Sequence, residues 1–305
     1  MHTFKTKVYF VLLAFLFTFS LSACNKNADA TNIQKDNKPS SNTESSQIDS
    51  ETKSTDKPFR FVDALGEWHE TTIRSNTAKH NYNWDCLVND SSGISYNDSQ
   101  YTIRKGIDVS YYQNDIDWEK VKNAGYDFAI IRIGYRGYGS SGVLKEDTAF
   151  TKHIEGAQKA GIDVGVYFFA QAIDEQEALE EANFVLNALK DYKLQLPVVY
   201  DPELIRNEDA RTNNVSGEQF TKNTIVFCET IKNAGFEPMI YSNMFWEAFL
   251  FDMTQLQDYS IWYADYETIP QTPYNFTMWQ YSEKGTVDGI KGNVDLNIWF
   301  CPVES

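Results

Sequence analysis

Two carboxylates separated by one residue follow a short apolar stretch of the sequence. The segment 196–203 has the sequence LPVVYDPE, so a predicted buried strand delivers Asp201 and Glu203 into a turn. Because side chains alternate along a strand, the two acids should project to the same side, about 7 Å apart. Two carboxylates shielded from bulk water repel each other, and one of them keeps a proton near neutral pH. The pair therefore predicts acid–base chemistry of the kind that hydrolyses glycosidic bonds, although acids at a strand end also serve as caps of turns and helices.

The elements that must position this pair share a repeated pattern of helix end, glycine and buried strand. The glycines are Gly125, Gly161 and Gly235, each preceded by Lys-Asn-Ala or Lys-Ala and followed by an apolar run. Glycine adopts the left-handed conformation that closes a helix, and lysine suits the negative end of the helix dipole. We predict helices over Asp117–Ala124, Thr148–Ala160, Glu175–Tyr192 and Gly217–Ala234, the last with a capping box of Ser216 and Gln219, and a short helical piece over Asn243–Phe251.

Eight strands alternate with or follow these helices. The predicted strands are Gly106–Val109, Phe128–Ile133, Val164–Phe169, Pro197–Asp201, Pro238–Tyr241, Ser260–Ala264, Thr277–Tyr281 and Val294–Ile298. The last three lie too close together for crossover helices, so we expect them to pair as a meander. The pattern predicts an α/β fold, a modified TIM-like (β/α)5(β)3 barrel with its site at the carboxyl ends of the strands. Asp108 and Asp295 should then meet Asp201 and Glu203 at the mouth.

The N-terminus carries a charged start, an apolar run from Val8 to Phe19 and the sequence Leu-Ser-Ala-Cys ending at Cys24. This pattern is typical of a signal peptide and resembles the bacterial lipoprotein signal, in which the cysteine is lipidated; an ordinary secretory signal is the alternative. We predict a signal peptide over 1–23 and a disordered tether over 24–58, because the latter is polar and almost free of large apolar residues. The protein would then lie on the outer face of the bacterial cytoplasmic membrane, anchored only through Cys24.

Composition narrows the range of partners. The chain of 305 residues has a formal net charge of −16 and 15% aromatic residues. We expect no nucleic-acid partner, because phosphate binding needs clustered Lys and Arg and no such cluster is visible. The four histidines are scattered and no Cys/His spacing suits zinc, so no metal is expected. Cys228 should lie on a buried helix face, and a bridge between Cys86 and Cys301 is left open. We expect a monomer.

Several motifs in order resemble those of the family 25 glycoside hydrolases, the lysozymes of the Chalaropsis type. The similar segments, spread over Arg104–Phe300, are Gly106–Ser110, Phe128–Arg132, Gly165–Tyr167, Asp201 with Glu203, Ile261–Ala264, Trp279–Tyr281 and Val294–Asn297. The resemblance implies a barrel of five βα units plus three strands that cuts the β-1,4 bond between N-acetylmuramic acid and N-acetylglucosamine in peptidoglycan without a cofactor. Pro202 departs from the family, where the middle residue is more often Ile, Val or Trp.

The resemblance also implies roles for the acids. Glu203 would be the proton donor. Asp108, Asp201 and Asp295 fill the other acidic positions, and we favour Asp201 for orienting the acetamido group of the sugar in a substrate-assisted reaction; direct attack by an enzyme carboxylate is the alternative. Aromatic side chains near strand ends are expected to stack on sugar rings. These are Tyr167, Trp262, Tyr241, Tyr135 and Trp279.

Other interpretations remain open at this point. The segment Phe59–Tyr101 falls outside the resemblance and is expected to form a small N-terminal extension before a catalytic barrel over 102–305, either as a strand-rich addition or as a wall-contacting module. The sequence also allows a chitinase or glucosaminidase, or a catalytically silent wall-binding lipoprotein. The glycine-rich segment 137–142 matches a dinucleotide-binding pattern, but no ribose-binding acid follows it, so we interpret it as a mobile loop.

Overall fold

The computed structural model describes residues 56–90 and 93–303. The predicted signal peptide, Cys24 and almost all of the predicted tether lie outside the described residues. Among the described residues, no helix combines the length and the apolar character needed to cross a bilayer.

Two antiparallel hairpins precede the barrel. They are formed by strands β1 (Lys57–Val62) with β2 (Trp68–Ile73) and β3 (Leu87–Asp90) with β4 (Gly93–Tyr96), with a 3-10 turn over Trp84–Cys86 between them. β1 begins at Lys57, so the last two residues of the predicted tether, Lys57 and Pro58, belong to a strand. The N-terminal extension is therefore strand-rich.

The following strands and helices form the main body. In chain order they are β5 (Tyr101–Val109), α1 (Trp118–Asn123), β6 (Phe128–Arg136), β7 (Leu144–Glu146), α2 (Phe150–Lys159), β8 (Asp163–Ala170), α3 (Glu175–Leu189), β9 (Val198–Pro202), α4 (Gly217–Asn233), β10 (Pro238–Asn243), α5 (Met244–Phe249), α6 (Met253–Leu256), β11 (Ser260–Ala264), β12 (Met278–Gly285) and β13 (Val294–Pro302). The glycine-rich segment 137–142 leads into β7 and not into a helix, which is not the arrangement of a dinucleotide site.

Eight of these strands close into a barrel, as the sequence predicts. The order around the ring is β5, β6, β8, β9, β10, β11, β12, β13, and β13 pairs with β5 to close it. All neighbours are parallel except at β13, which is antiparallel to both β12 and β5. Because β13 runs in the opposite direction, its first residues lie beside the carboxyl end of β5.

The expected meander of the last three strands is wrong in part. β12 and β13 are antiparallel, but β11 and β12 run parallel. The segment 265–277 that joins β11 to β12 is long enough to return to the start of the sheet without a helix, since a crossover needs about a dozen residues.

The predicted glycine stops are present at the three expected positions. Gly125, Gly161 and Gly235 have φ of +86°, +71° and +89°, and each lies between a helix end and the next strand. These values fall in the left-handed region that a side chain disfavours. The repeat in the sequence therefore marks the true ends of three helices.

The helix α4 differs from prediction at its start. The side chain of Ser216 accepts a hydrogen bond from the backbone N–H of Gln219, as a cap should. The side chain of Gln219 does not complete a capping box; it donates to Glu175 and Asn223, both at 2.8 Å. Cys228 is fully buried on α4, as predicted, and Cys86 and Cys301 are free thiols.

Two apolar clusters hold the fold together. The larger one packs the helices and the hairpins on the outside of the barrel. The smaller one comprises Phe128, Ile130, Val199, Met239, Trp262 and Met278. Its members come from five strands, and inward residues of neighbouring strands pack in layers, so this cluster fills the interior beneath the mouth.

Candidate active site

The structure brings the four predicted carboxylates together in one cavity of about 1320 Å³. Asp108 is the last but one residue of β5, Asp201 lies on β9 with Glu203 just beyond it, and Asp295 is the second residue of β13. Asp108 and Asp295 are direct partners across the β5–β13 ladder. Asp295 reaches the mouth because β13 is the antiparallel strand, so its beginning lies at the edge where the parallel strands end.

Asp108 is buried but well supplied with donors. Its Oδ2 accepts from the side-chain amides of Gln280 at 2.9 Å and Asn297 at 2.8 Å. Burial raises the pKa of Asp108 to about 6, and the two amide donors limit this rise because they stabilise the ionised form.

Asp295 faces Asp108 across the β5–β13 ladder, and the two carboxyl groups interact. Burial and the neighbouring charge of Asp108 raise the pKa of Asp295 to about 8. Because Asp108 receives two N–H donors, it is the better site for the negative charge, and Asp295 is the better site for the proton. At neutral pH we assign the pair one proton, on Asp295.

Three aromatic residues orient the side-chain amides that face Asp108. Trp262 Nε1 donates to Asn297 Oδ1 at 2.8 Å, and the hydroxyls of Tyr241 and Tyr266 both donate to Gln280 Oε1 at 2.9 Å. Each amide oxygen is thereby occupied, so each NH2 group must point at Asp108. This network therefore favours the ionised form of Asp108.

Asp201 is buried without a hydrogen-bond partner for one oxygen. It is 4% exposed, and no donor among the described residues reaches its Oδ1. Burial, with the nearby Glu203 and Asp108, raises the pKa of Asp201 well above its usual range. Buried acceptors are rarely left unpaired, so Asp201 is suited to receive a donor from a ligand.

Glu203 is half-buried and its backbone is held in place. Burial, followed by the charge of Asp295, raises its pKa, while the charge of Arg132 lowers it. The side-chain amide of Gln171 donates to the backbone carbonyl of Glu203 at 2.7 Å. Gln171 is itself anchored by Thr212, whose hydroxyl donates to its Oε1 at 3.3 Å, and by Glu181, which accepts from its backbone N–H at 3.0 Å. Neither Asp201 nor Glu203 caps a described helix. The alternative interpretation, that these acids serve as helix caps, is therefore wrong.

Arg132 supplies a positive charge beside these acids. Its Nε donates to Asp147 at 2.7 Å, and its guanidinium lies 5.0 Å from the ring centroid of Tyr111. The side chains that line the cavity include eight acids and two arginines, so the cavity is strongly acidic.

Four of the five predicted aromatic residues line the cavity: Tyr135, Tyr167, Tyr241 and Trp262. The prediction that Trp279 contacts the sugar is wrong. This residue is fully buried in the larger core cluster, where its Nε1 donates to the backbone carbonyl of Asp265 at 2.7 Å. Side chains alternate along β12, so when Gln280 faces the interior its neighbour Trp279 must face outward.

Five residues of the site were not predicted from the sequence: Gln280, Asn297, Gln171, Arg132 and Tyr266. The alternation of strand residues could have found Asn297, which lies two positions after Asp295 and so shares its face. No local pattern marks Gln171 or Tyr266, because each reaches the site from a segment outside the motifs.

A closed eight-stranded barrel with clustered carboxylates at its mouth is an arrangement in which paired acids can act on a sugar. The sequence profile described as "Glycosyl hydrolases family 25" matches residues 107–290. The chain therefore belongs to this family. The matched range contains Asp108, Asp201 and Glu203, whereas Asp295 follows it and both hairpins precede it.

Individual relatives agree with this assignment. The autolytic lysozyme of Clostridium acetobutylicum is 26% identical over 195 residues, covering 63% of this chain and 55% of that protein. Lysozyme M1 of Streptomyces globisporus is 28% identical over 214 residues, covering 63% of this chain and 66% of that protein. This chain thus spans little more than half the length of the clostridial relative.

A solved structure extends the similarity to the fold. The structure of a family 25 glycosyl hydrolase from Bacillus anthracis superposes with a TM-score of 0.55 at 27% sequence identity. The superposition covers 69% of this chain and 94% of the other.

Proposed function

We propose that this protein is a lysozyme, an N-acetylmuramidase that hydrolyses the β-1,4 bond between N-acetylmuramic acid and N-acetylglucosamine in peptidoglycan. The observation that carries the proposal is the convergence of Asp108, Asp201, Glu203 and Asp295 on one cavity. The cavity is larger than the roughly 300–1,000 Å³ typical of small-molecule sites, which suits several units of a polymer. Family membership and the two lysozymes among its relatives support the same substrate.

In this mechanism Glu203 is the proton donor. Its raised pKa keeps the carboxyl protonated where an ordinary glutamate would be ionised. The proton passes to the glycosidic oxygen as the bond from that oxygen to the anomeric carbon breaks. The resulting carboxylate then takes a proton from the water that adds to the anomeric carbon, so the enzyme returns to its starting state.

Asp201 would assist by holding the acetamido group of the muramic acid. The free Oδ1 of Asp201 accepts the acetamido N–H, which favours the ionised form of the carboxyl and orients the carbonyl oxygen toward the anomeric carbon. That oxygen forms the bond that replaces the leaving group, and water later breaks it. Asp108, kept anionic by Gln280 and Asn297, stabilises the positive charge that develops on the sugar ring.

The test is digestion of purified sacculi by the full chain, followed by reduction of the new ends and mass spectrometry. Muramic acid at the reducing ends is the expected result. Glucosamine ends would replace the proposal by a glucosaminidase, and the absence of any released glycan would replace it by a wall-binding protein.

We also propose that Cys24 is lipidated and holds the enzyme at the outer face of the cytoplasmic membrane. The support is the sequence of the N-terminus alone. A Cys24→Ser protein should leave the membrane fraction of the host cell. Its retention there at the parent level would refute the anchor.

A further inference from the structure

The first hairpin, β1–β2, contributes to the wall of the catalytic cavity although it lies outside the matched family range. The residues from Val62 to Gly66, at the turn of this hairpin, line the cavity together with the four acids. The second hairpin contributes no cavity-lining residue among those described. The two hairpins of the extension therefore differ in their relation to the site.

The turn is attached to the loop that follows β11. Gln271 accepts from the backbone N–H of Val62 and donates to its carbonyl, both at 2.9 Å. Asp265 in turn accepts from the backbone N–H of Gln271 at 2.8 Å. A side-chain amide that pairs with both backbone groups of one residue fixes the position of that residue as a strand neighbour would.

The hairpin is also packed on α5, which follows β10. Phe61 is fully buried, with its ring centroid 6.0 Å from that of Phe249. The ring of His69 lies edge-on to Phe245 at 5.4 Å. These contacts and those of Gln271 hold the turn from two adjacent positions on the barrel rim.

The turn itself is internally fixed. Asp63 Oδ1 accepts from the backbone N–H groups of Leu65 and Glu67, and its Oδ2 accepts from His69, all at 2.9 Å. The side chain of Leu65 is nevertheless 54% exposed. A turn that is fixed by hydrogen bonds therefore holds an exposed apolar side chain, Leu65, at the wall of the cavity.

The ring order places this turn opposite a set of tyrosines. Tyr111 and Tyr112 follow β5, and Tyr138 follows β6; all three line the cavity and are exposed. β10 and β11 lie four strands around the ring from β5 and β6. The turn and the tyrosines therefore form two walls of the mouth, with the acids between them.

We propose that the β1–β2 turn is a further saccharide-binding subsite, in which Leu65 packs on the apolar face or acetyl methyl of an N-acetylhexosamine unit beyond the two that flank the cleaved bond. The proposal rests on the proposed function. A sugar fits better than the peptide stem of the polymer, because the exposed residues of the turn that line the cavity are Ala64, Leu65 and Gly66, which carry no charge. The oxygens of Asp63 are already engaged by the turn.

The experiment compares Leu65→Ser with Val88→Ser in the full chain. Val88 is a matched control, since it is 49% exposed on the second hairpin and lies away from the cavity. For each protein, kcat/KM is measured on long glycan strands freed of peptide, on the same strands with their peptides attached, and on a tetrasaccharide of the same repeat. Leu65→Ser should lower the ratio of the long to the short substrate by about fivefold, as expected for loss of one apolar contact. Val88→Ser should keep the parent ratio.

Two outcomes would overturn the proposal. Equal ratios for Leu65→Ser and Val88→Ser would show that the turn only supports the fold. A loss confined to peptide-bearing strands would make the stem peptide the occupant. Either outcome leaves the parent protein active, whereas failure of the proposed function would leave the parent without activity on any of these glycans.

Discussion

At the residue scale, the site works by giving four similar carboxyl groups different environments. Asp108 has two amide donors, Asp201 has a free oxygen, Asp295 has a carboxylate neighbour, and Glu203 lies near Arg132. The aromatic residues contribute through polar atoms as well as ring faces, since Tyr241 and Trp262 use theirs to orient Gln280 and Asn297. Neutral side chains therefore decide which acid carries charge.

This arrangement predicts a pH effect for Gln280→Met. The change removes one donor from Asp108, and since that donor favours the ionised form, the pKa of Asp108 must rise further above about 6. If Asp108 must be ionised for turnover, the acid limb of kcat/KM should move to higher pH by about one pH unit, as expected for loss of a hydrogen bond to a charged group.

The measurement is the pH profile of kcat/KM on glycan strands from about pH 4 to about pH 9, a range that spans the titrations of Asp108 and Asp295. Gln255→Met, on the exposed side of α6, is the control and should keep the parent profile. An acid limb for Gln280→Met that coincides with that of the parent would show that Asp108 does not control it.

At the element scale, local patterns in the sequence predict the strands and helices of the barrel. The glycine stops and the apolar runs were enough to place the helices and the barrel strands, because both depend on neighbouring residues. The parallel pairing of β11 with β12 and the outward position of Trp279 were not predicted, since each depends on how distant segments meet. The contribution of the first hairpin to the cavity was hidden for the same reason.

The small helix α5 carries a buried acid outside the catalytic group. Glu247 is 3% exposed and accepts a hydrogen bond from Thr272 at 2.5 Å, and burial raises its pKa to about 8. A carboxyl whose pKa is higher in the folded than in the unfolded chain stabilises the fold at low pH. That stability is lost as pH rises from the unfolded pKa toward the folded one.

We therefore expect Glu247→Gln to be more stable than the parent at pH 9, by an amount that disappears near pH 4. The replacement is neutral at both pH values, so it removes the cost of ionising a buried acid, which we expect to reach several kcal/mol. Urea unfolding of both proteins at the two pH values measures this, with the exposed Glu237→Gln as control. A parent and a Glu247→Gln protein with the same pH dependence would contradict the assignment.

At the scale of the whole molecule, one barrel holds the four clustered carboxyl groups, and the first hairpin of the N-terminal extension adds to the wall of their cavity. The chain is acidic overall, with a net charge of −16, and its cavity is acidic too. Long-range charge therefore gives no attraction to an anionic cell wall. Contact with the polymer must come from short-range packing in the cavity and, on our proposal, from the anchor at Cys24.

On our proposal Glu203 donates the proton that breaks the glycosidic bond, and the Glu203→Gln protein tests this role. The side chain keeps its size but has no acidic proton, so turnover of sacculi should fall by at least about a hundredfold while binding to sacculi is retained. Glu208→Gln is the control, because Glu208 is exposed on the same loop and lies outside the cavity lining. Release of muramic ends by Glu203→Gln at the rate of Glu208→Gln would show that Glu203 is not the proton donor.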